Sequence, residues 1–344
     1  MLARRGWGSI TVYDELAAPP TADDAAWGAG ERSYQLGLNG RGQTALRTLG
    51  CMDRVSRYAA SANGRLSFDK DGAPVESRLT PPGEPGAEKN YVTRVLQRDR
   101  LQAALLEEVH ETYSDRITIV HGAACGGVDL DGAKPCILIA RGNDEEATRM
   151  GPVDLLVGAD GVRSSVRKAL EDAPGSRTRA VRYPEINERR FKTLPLHPSL
   201  VPGTSADLNW GYRNTSLDLG MDALPTMEGE MVAVVLTKPG TAGYEQLNAL
   251  AGAEDARAFF SEVMPPLLPY LKDDELERFT QRPIGRLPSF QKVEGDIHKS
   301  LAEGGVVLLG DAIKAVKPCV ISPHLPPPLS SSLRLSSSNG LFTF

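Results

Sequence analysis

Val157-Gly158-Ala159-Asp160-Gly161-Val162-Arg163-Ser164-Ser165-Val166-Arg167 and Val306-Val307-Leu308-Leu309-Gly310-Asp311-Ala312 decide how this chain is read. Each is an apolar, strand-like run that stops at an aspartate beside glycine. Glycine lets the main chain come close to a ligand, and a carboxylate accepts from two hydroxyls at once. Such a strand end therefore suits contact with a polar cofactor. The other reading of the first run is an ordinary strand-to-helix turn, with Ser164 or Ser165 capping the helix toward Leu170. The other reading of the second is one more strand-end acid.

Outward from these runs, Ser9-Ile10-Thr11-Val12-Tyr13 reads as a strand that ends at Asp14-Glu15. In a dinucleotide-binding βαβ unit the second strand ends in an acid that accepts from the ribose hydroxyls, and Asp14 fits that role. Ahead of it, Leu2-Ala3-Arg4-Arg5-Gly6 reads as the end of a helix, with a basic last turn and a glycine cap. The first strand and glycine-rich phosphate turn expected upstream are not in the sequence, so the chain is expected to start inside that helix. Gly40, Gly42 and Ala45 satisfy G-x-G-x-x-A. This is not the fingerprint, because Asp14 precedes it rather than following by about 20 residues.

Asp99 to His110 is an amphipathic helix with Leu101, Leu105, Leu106 and Val109 on one side. Ile117 to Val120 is a strand, Val128 to Asp131 with Cys136 to Ala140 a hairpin around Asp131-Gly132, and Asp154 to Val157 a buried strand. Residues 64–90 are rich in Gly and Pro, a hairpin or surface excursion. Beyond about 178 the pattern changes to strands at Arg190 to Leu196, Ser205 to Tyr212 and Met231 to Leu236. A helix from Asp255 to Val263 is ended by Pro265, Pro266 and Pro269. Trp210, Tyr212 and Phe191 alternate on strands and suit either core packing or an apolar substrate. The expected fold is α/β: a Rossmann-like domain with a parallel sheet, interrupted by an inserted mixed β-sheet domain. Its boundaries are 1–177 for the first domain, 178–295 for the second, 296–319 for the return, and 320–344 for a low-complexity tail holding Pro326-Pro327-Pro328.

The 344 residues carry a net charge of −5 and no long basic run, which argues against nucleic acid. The four cysteines, 51, 125, 136 and 319, show no CxxC spacing, as expected of free thiols in a reducing intracellular compartment. Five histidines show no metal-ligand clustering. No stretch approaches the roughly 20 apolar residues of a membrane span, and no signal peptide is visible. Oligomeric state is not legible.

The order and spacing of the two opening motifs resemble those of FAD-dependent group A aromatic monooxygenases, the kynurenine 3-monooxygenase-like and p-hydroxybenzoate hydroxylase-like flavoproteins. Asp160-Gly161 resembles the family's "DG" motif, near the flavin and the nicotinamide donor. Gly310-Asp311 resembles its "GD" motif, whose aspartate contacts the ribityl hydroxyls of FAD, and Lys317-Pro318 matches the stretch that follows. Arg98, in Arg98-Asp99-Arg100-Leu101, matches an R-x-x-L helix start near the flavin; the alternative is a solvated helix-end arginine. Arg32 and Gly37, in Arg32-Ser33-x-x-Leu36-Gly37-Leu38, resemble a segment passing beside the flavin. Cys125 either lends backbone contact near the adenine end or is a small packed residue. Arg190 to Leu196 resembles a strand of the kynurenine 3-monooxygenase branch.

The resemblance implies FAD and NAD(P)H as cofactors, and dioxygen and a small, possibly kynurenine-like, aromatic as substrates. NAD(P)H reduces the flavin, and one oxygen atom passes to an activated ring. No side chain is singled out as acid, base or nucleophile, because the cofactor carries the chemistry. Two other readings stay open: a flavin reductase or epoxidase acting on a lipid, and a non-catalytic fragment that no longer binds FAD. A long apolar channel would favour lipid, whereas convergent Arg and Tyr would favour an amino acid. The family starts with a strand and a GxGxxG turn, and follows its GD motif with Pro-x-x-Gly-x-Gly-x-Asn. Here Pro318 is followed by Cys319-Val320-Ile321-Ser322-Pro323-His324. The chain is therefore expected to be a fragment of a larger enzyme that binds FAD poorly or not at all.

Overall fold

The two motif runs form neighbouring parallel strands, Leu155–Gly158 and Gly305–Leu308, with Gly158 opposite Leu308. The computed structural model describes residues 1–25, 27, 35–69, 72–81, 83–85, 87, 91–141, 147–183, 188–287 and 290–315. Arg32, Cys319, the Lys317-Pro318 match and the tail lie outside them. Gly158 is bare because a helix crosses it: a Cβ there would stand 2.7 Å from the Val166 Cβ and 3.0 Å from a Leu308 methyl. Helix Ser165–Asp172 thus packs directly on the strand it follows.

Asp14 ends strand Ile10–Asp14, which runs parallel to Ile117–His121 with Asp14 opposite His121. Among the described residues no ladder joins this pair to Leu155–Gly158. Packing does, because Tyr13 and Val120 lie against the core of Ile139, Leu156, Val166, Val306 and Leu308. Upstream, Ala3–Arg5 is a short helical turn closed by Gly6 at φ 92°, the left-handed cap expected of that glycine. Helix Gly40–Thr48 follows strand Gln35–Leu38, which pairs antiparallel with Thr93–Gln97. Its first turn is closed by the Asn39 side chain, which accepts from the Gly42 N–H at 3.0 Å. A capped helix on an antiparallel ladder is not a phosphate turn.

Among the described residues the larger sheet has seven strands in the order Gly285–Arg286, Arg190–Leu196, Met231–Thr237, Leu219–Pro225, Asn209–Asn214, Gly64–Phe68 and Pro74–Arg78. The Gly/Pro-rich stretch after 64 therefore supplies two strands of this sheet. Its first strand joins through a parallel pairing of Arg65–Ser67 with Asn209–Gly211. We propose that 178–295 remains one unit, to which this hairpin adds.

Strand period 2 sends alternate residues to opposite faces. One face lies under helices Ala253–Val263 and Asp273–Gln281, where Leu194, Leu196, Trp210, Met221, Phe260 and Phe279 are buried together. Trp210 meets Tyr270 edge-on at 4.7 Å, and Tyr212 meets Phe68 at 5.9 Å, so both rings are core and not substrate lining. Phe191 points to the other face, where its ring fills the space that a Cβ on Gly285 would need.

Lys192 breaks the apolar pattern of the covered face. It is 4% exposed, with Nζ 4.6 Å from the Phe279 ring centre and 3.3 Å from the Thr280 carbonyl. Burial, with Arg282 nearby as a second cause, holds its ammonium below the usual lysine pKa. The folded chain thus binds this proton less readily than the unfolded chain. Its penalty is full below the lowered pKa and fades as pH rises to the ordinary lysine value. Lys192→Met should raise stability at neutral pH by about 1 kcal/mol and remove that rise, measured as urea midpoints at pH 7 and about 10. A lower midpoint for the variant at neutral pH would contradict this.

Candidate functional site

Parallel strands present their carboxyl ends on one edge, and the register puts the two motif turns side by side there. The Leu309 N–H donates to the Gly158 carbonyl at 2.9 Å, extending the ladder into both turns. Gly161 has φ 76° and Gly310 φ 59°, left-handed values that glycine adopts without strain, and no atom lies within 4 Å of where a Cβ would sit on either. Both turns therefore expose bare backbone to open space.

The two aspartates do different work. Asp160 bends back onto its own helix, where Oδ2 accepts from the Ser165 N–H at 2.7 Å and the Val166 N–H at 3.2 Å. Ser164 Oγ accepts from the Arg167 N–H at 2.9 Å. Asp160 and Ser164 together satisfy the first N–H groups of helix Ser165–Asp172 and place a carboxylate at its positive end. Asp311 is exposed and accepts no hydrogen bond among the described residues, so its carboxylate is open to a ligand. The pair is thus one shaping residue and one free acceptor.

Arg167 ties the two turns together. Its side chain is 4% exposed, and it donates to the Val162 carbonyl at 3.0 Å and to the Ala312 carbonyl at 3.1 Å. Its Nε lies 3.8 Å from Glu171, too far for a hydrogen bond, and has no other partner among the described residues. Gln291 adds a second donor to the Val162 carbonyl at 3.3 Å. Sequence reading placed Arg167 inside the motif without assigning it a task. Its signal is a charged residue at a helix position flanked by buried Val166 and Leu170.

Cys125 lies at a bulge of strand Ala123–Asp129 and packs on the same core as Leu156 and Leu308. Burial raises its thiol pKa, a backbone hydrogen bond at Gly127 opposes that, and the Asp160 charge adds to it. It is a neutral, packed thiol near the first turn. Asp14 lies at the end of the other parallel pair, with one oxygen accepting from the Leu16 N–H at 2.9 Å and the other from Gln102 at 3.1 Å. Gln102 sits on helix Arg98–Thr112, whose first residue is Arg98, paired with Asp99 at 2.9 Å and half exposed. Gly37 lies on the strand paired with the one that leads into Arg98, and a Cβ on it would stand 3.1 Å from Thr93. Asp14, Gly37 and Arg98 therefore form one group, and Cys125, Asp160, Gly161, Gly310 and Asp311 another. Of the first group only Asp14 lies on a strand that shares the core of the second; Gly37 and the helix of Arg98 belong to elements packed in another.

Residues that sequence reading did not single out line a cleft of about 290 Å³ beside the large sheet, among them Arg65, Ser77, Arg78, Leu79, Tyr91 and Thr93. Arg78 is paired with Asp207 and Glu76. The one available signal was a pair of glycines inside apolar strands, Gly211 and Gly220, which mark close approach by another group.

No family model matches the chain. It is similar to the kynurenine 3-monooxygenase of Stenotrophomonas maltophilia (strain K279a), 28% identical over 323 residues that make up 92% of this chain and 64% of that protein. To the protein of the same name from Xanthomonas axonopodis pv. citri (strain 306) it is 27% identical over the same shares. The chain thus spans somewhat under two thirds of the length of these relatives. Among solved structures it superimposes on 2-methyl-3-hydroxypyridine-5-carboxylic acid oxygenase with a TM-score of 0.63 at 17% identity, over 92% of this chain and 72% of that one. Against p-nitrophenol 4-monooxygenase PnpA from Pseudomonas putida DLL-E4 the TM-score is 0.58 at 13% identity, over 92% and 69%. The chain has the fold of these oxygenases.

Replacing Arg167 tests whether the turns depend on it. Arg167→Lys keeps the charge but loses the fork that reaches both carbonyls, and should lower stability by about 2–4 kcal/mol in urea unfolding. Asp160→Asn, which keeps an acceptor at the helix start, should cost about 1 kcal/mol or less. A Lys variant as stable as the parent would remove Arg167 from this role.

Proposed function

We propose that this chain is the FAD-binding and substrate-binding part of an NAD(P)H-using monooxygenase that hydroxylates a small, kynurenine-like aromatic acid. The observation that carries the reading is the pair of glycine-aspartate turns, side by side on parallel strands and joined by Arg167, with the Asp311 carboxylate exposed. The names of its relatives and its fold agree with it.

The residues present fit a flavin. Asp311 and Asp14 are carboxylates at strand ends, suited to ribityl and ribose hydroxyls respectively. Gly161 and Gly310 leave the backbone open for close approach. Asp160 holds the first turn in shape through its helix, and Arg98 offers a cation at the start of the helix that also carries Gln102. Bound there, FAD would supply the hydride-accepting and oxygen-transferring chemistry that these side chains lack.

On the substrate side, Arg65, Arg78 and Tyr91 line a cleft of about 290 Å³. That lining and size suit an aromatic amino acid better than a lipid, which needs a long apolar channel. Leu79 and the Tyr91 ring offer apolar contact to the aromatic ring of the amino acid.

FAD titrated into the purified chain, followed by quenching of flavin fluorescence, should give weak, saturable binding. Asp311→Asn should weaken it about tenfold, the loss of one charge-assisted hydrogen bond, with no change in urea midpoint. Absence of saturable binding, or equal affinity for the variant, would contradict the placement of the flavin at these turns.

A further inference from the structure

The Arg78–Asp207 ion pair stands where two clefts meet, and the flavin turns do not use it. Arg78 lines the cleft of about 290 Å³, and Asp207 lines a larger one of about 490 Å³ together with Ala59, Ser61, Asn63, Pro225 and Met227. Successive residues of extended chain face opposite sides, so Ser61 and Asn63 line the larger cleft while Ala62 and Gly64 line the smaller. Asn63 joins the two walls through the main chain. Its N–H donates to the Asp207 carbonyl at 2.8 Å, and its carbonyl accepts from the Leu79 N–H at 2.9 Å.

The Asp207 carboxylate is held in place, yet one of its oxygens is lightly used. Oδ2 accepts from the Asn63 side-chain amide at 3.0 Å and from Arg78 at 3.2 Å. Among the described residues Oδ1 has only the longer arm of the same Arg78 nitrogen, at 3.4 Å. A carboxylate oxygen has two lone pairs, so Oδ1 has room for a further donor. The side chain is 43% exposed, which lets a ligand reach it. The Asn63 hydrogen bond, and after it the Arg78 pair, hold the acid below the usual carboxylate pKa against the burial that opposes them. Asp207 is also the one charged residue among the described residues that line the larger cleft.

We infer that Asp207 is a specificity-determining residue, whose Oδ1 accepts from the α-ammonium group of an aromatic amino acid and so prefers it to the same acid without an amino group. This rests on the reading of the smaller cleft as the substrate site. An α-amino acid carries its ammonium and carboxylate on one carbon, about as close together as the two charges of the Arg78–Asp207 pair. An exposed ion pair is a dipole, and a zwitterion is the ligand whose own dipole complements it. A plain acid brings one charge and leaves Oδ1 unanswered. The ammonium contact needs no free donor on either arginine of the smaller cleft.

The test is calorimetric titration of the chain with L-phenylalanine, with 3-phenylpropanoate, which is the same acid without the amino group, and with L-kynurenine. The parent should bind L-phenylalanine about fivefold more tightly than 3-phenylpropanoate, the margin of one exposed charge pair. Asp207→Asn should abolish that ratio at an unchanged urea midpoint. Asp207→Ser removes the same charge and should act alike even if the Asn variant folds poorly. Both ligands carry the carboxylate, so any change that a variant makes in Arg78 acts on both and cancels in the ratio. A purely structural role would likewise weaken both together and leave the ratio intact. Equal binding of the two by the parent, or a ratio retained in both variants, overturns the inference and leaves the substrate reading standing. A ratio that depends on Asp207, with no binding of L-kynurenine, keeps the inference and overturns the kynurenine-like reading. Binding of none of the three overturns both.

Discussion

The fork of Arg167 is the constraint on which the rest of the site depends. The ladder and the Leu309–Gly158 bond align the two strand ends, but they do not by themselves set how the turns beyond them are held. A buried guanidinium that needs acceptors removes that freedom. It bonds the Val162 carbonyl of one turn and the Ala312 carbonyl of the other. Burying this charge without partners would cost several kcal/mol, so the turns must stay where their carbonyls can reach it. The glycines at 161 and 310 are then presented together, and the free Asp311 carboxylate faces the same edge.

Arg167, Asp222 and Lys192 are three of the charges buried among the described residues, with different results. Arg167 joins two turns of the parallel unit. Asp222 joins two arginines on the other face of the large sheet. Lys192, on the covered face, has a ring and a carbonyl but no carboxylate within ion-pair distance among the described residues. The first two fix the direction of a side chain through several hydrogen bonds. Lys192 is a cost that the surrounding core of Leu194, Trp210, Phe260 and Phe279 outweighs.

Much of the fold was legible in the sequence where the pattern was local. The strands ending at Asp14, Gly158 and Leu308 announced themselves as apolar runs stopped by glycine or acid, and helix Arg98–Thr112 by its leucine spacing. Strand Leu219–Pro225 did not, because Gly220, Asp222 and Pro225 interrupt it. Their reasons lie on other strands: Arg213 over Gly220, and Arg65 and Arg213 on Asp222. Helix Asp273–Gln281 was hidden by its shortness and charge, though three acids in its first turn suit a helix start. That the hairpin after residue 64 joins the large sheet depends on a pairing across more than a hundred residues, which no local pattern encodes. At the site, the sequence located both glycine-aspartate turns and, through the resemblance, gave both aspartates a place by the cofactor. Only the geometry separates Asp160, turned back on its helix, from Asp311, left open.

The measurement that bears most directly on this account is amide hydrogen exchange of the chain with and without FAD. If the two turns form one flavin-facing surface held by Arg167, the amides of 158–167 and 309–313 should slow together on adding FAD, while those of the covered face of the large sheet stay unchanged. Slowing at one turn alone, or at neither, would contradict it.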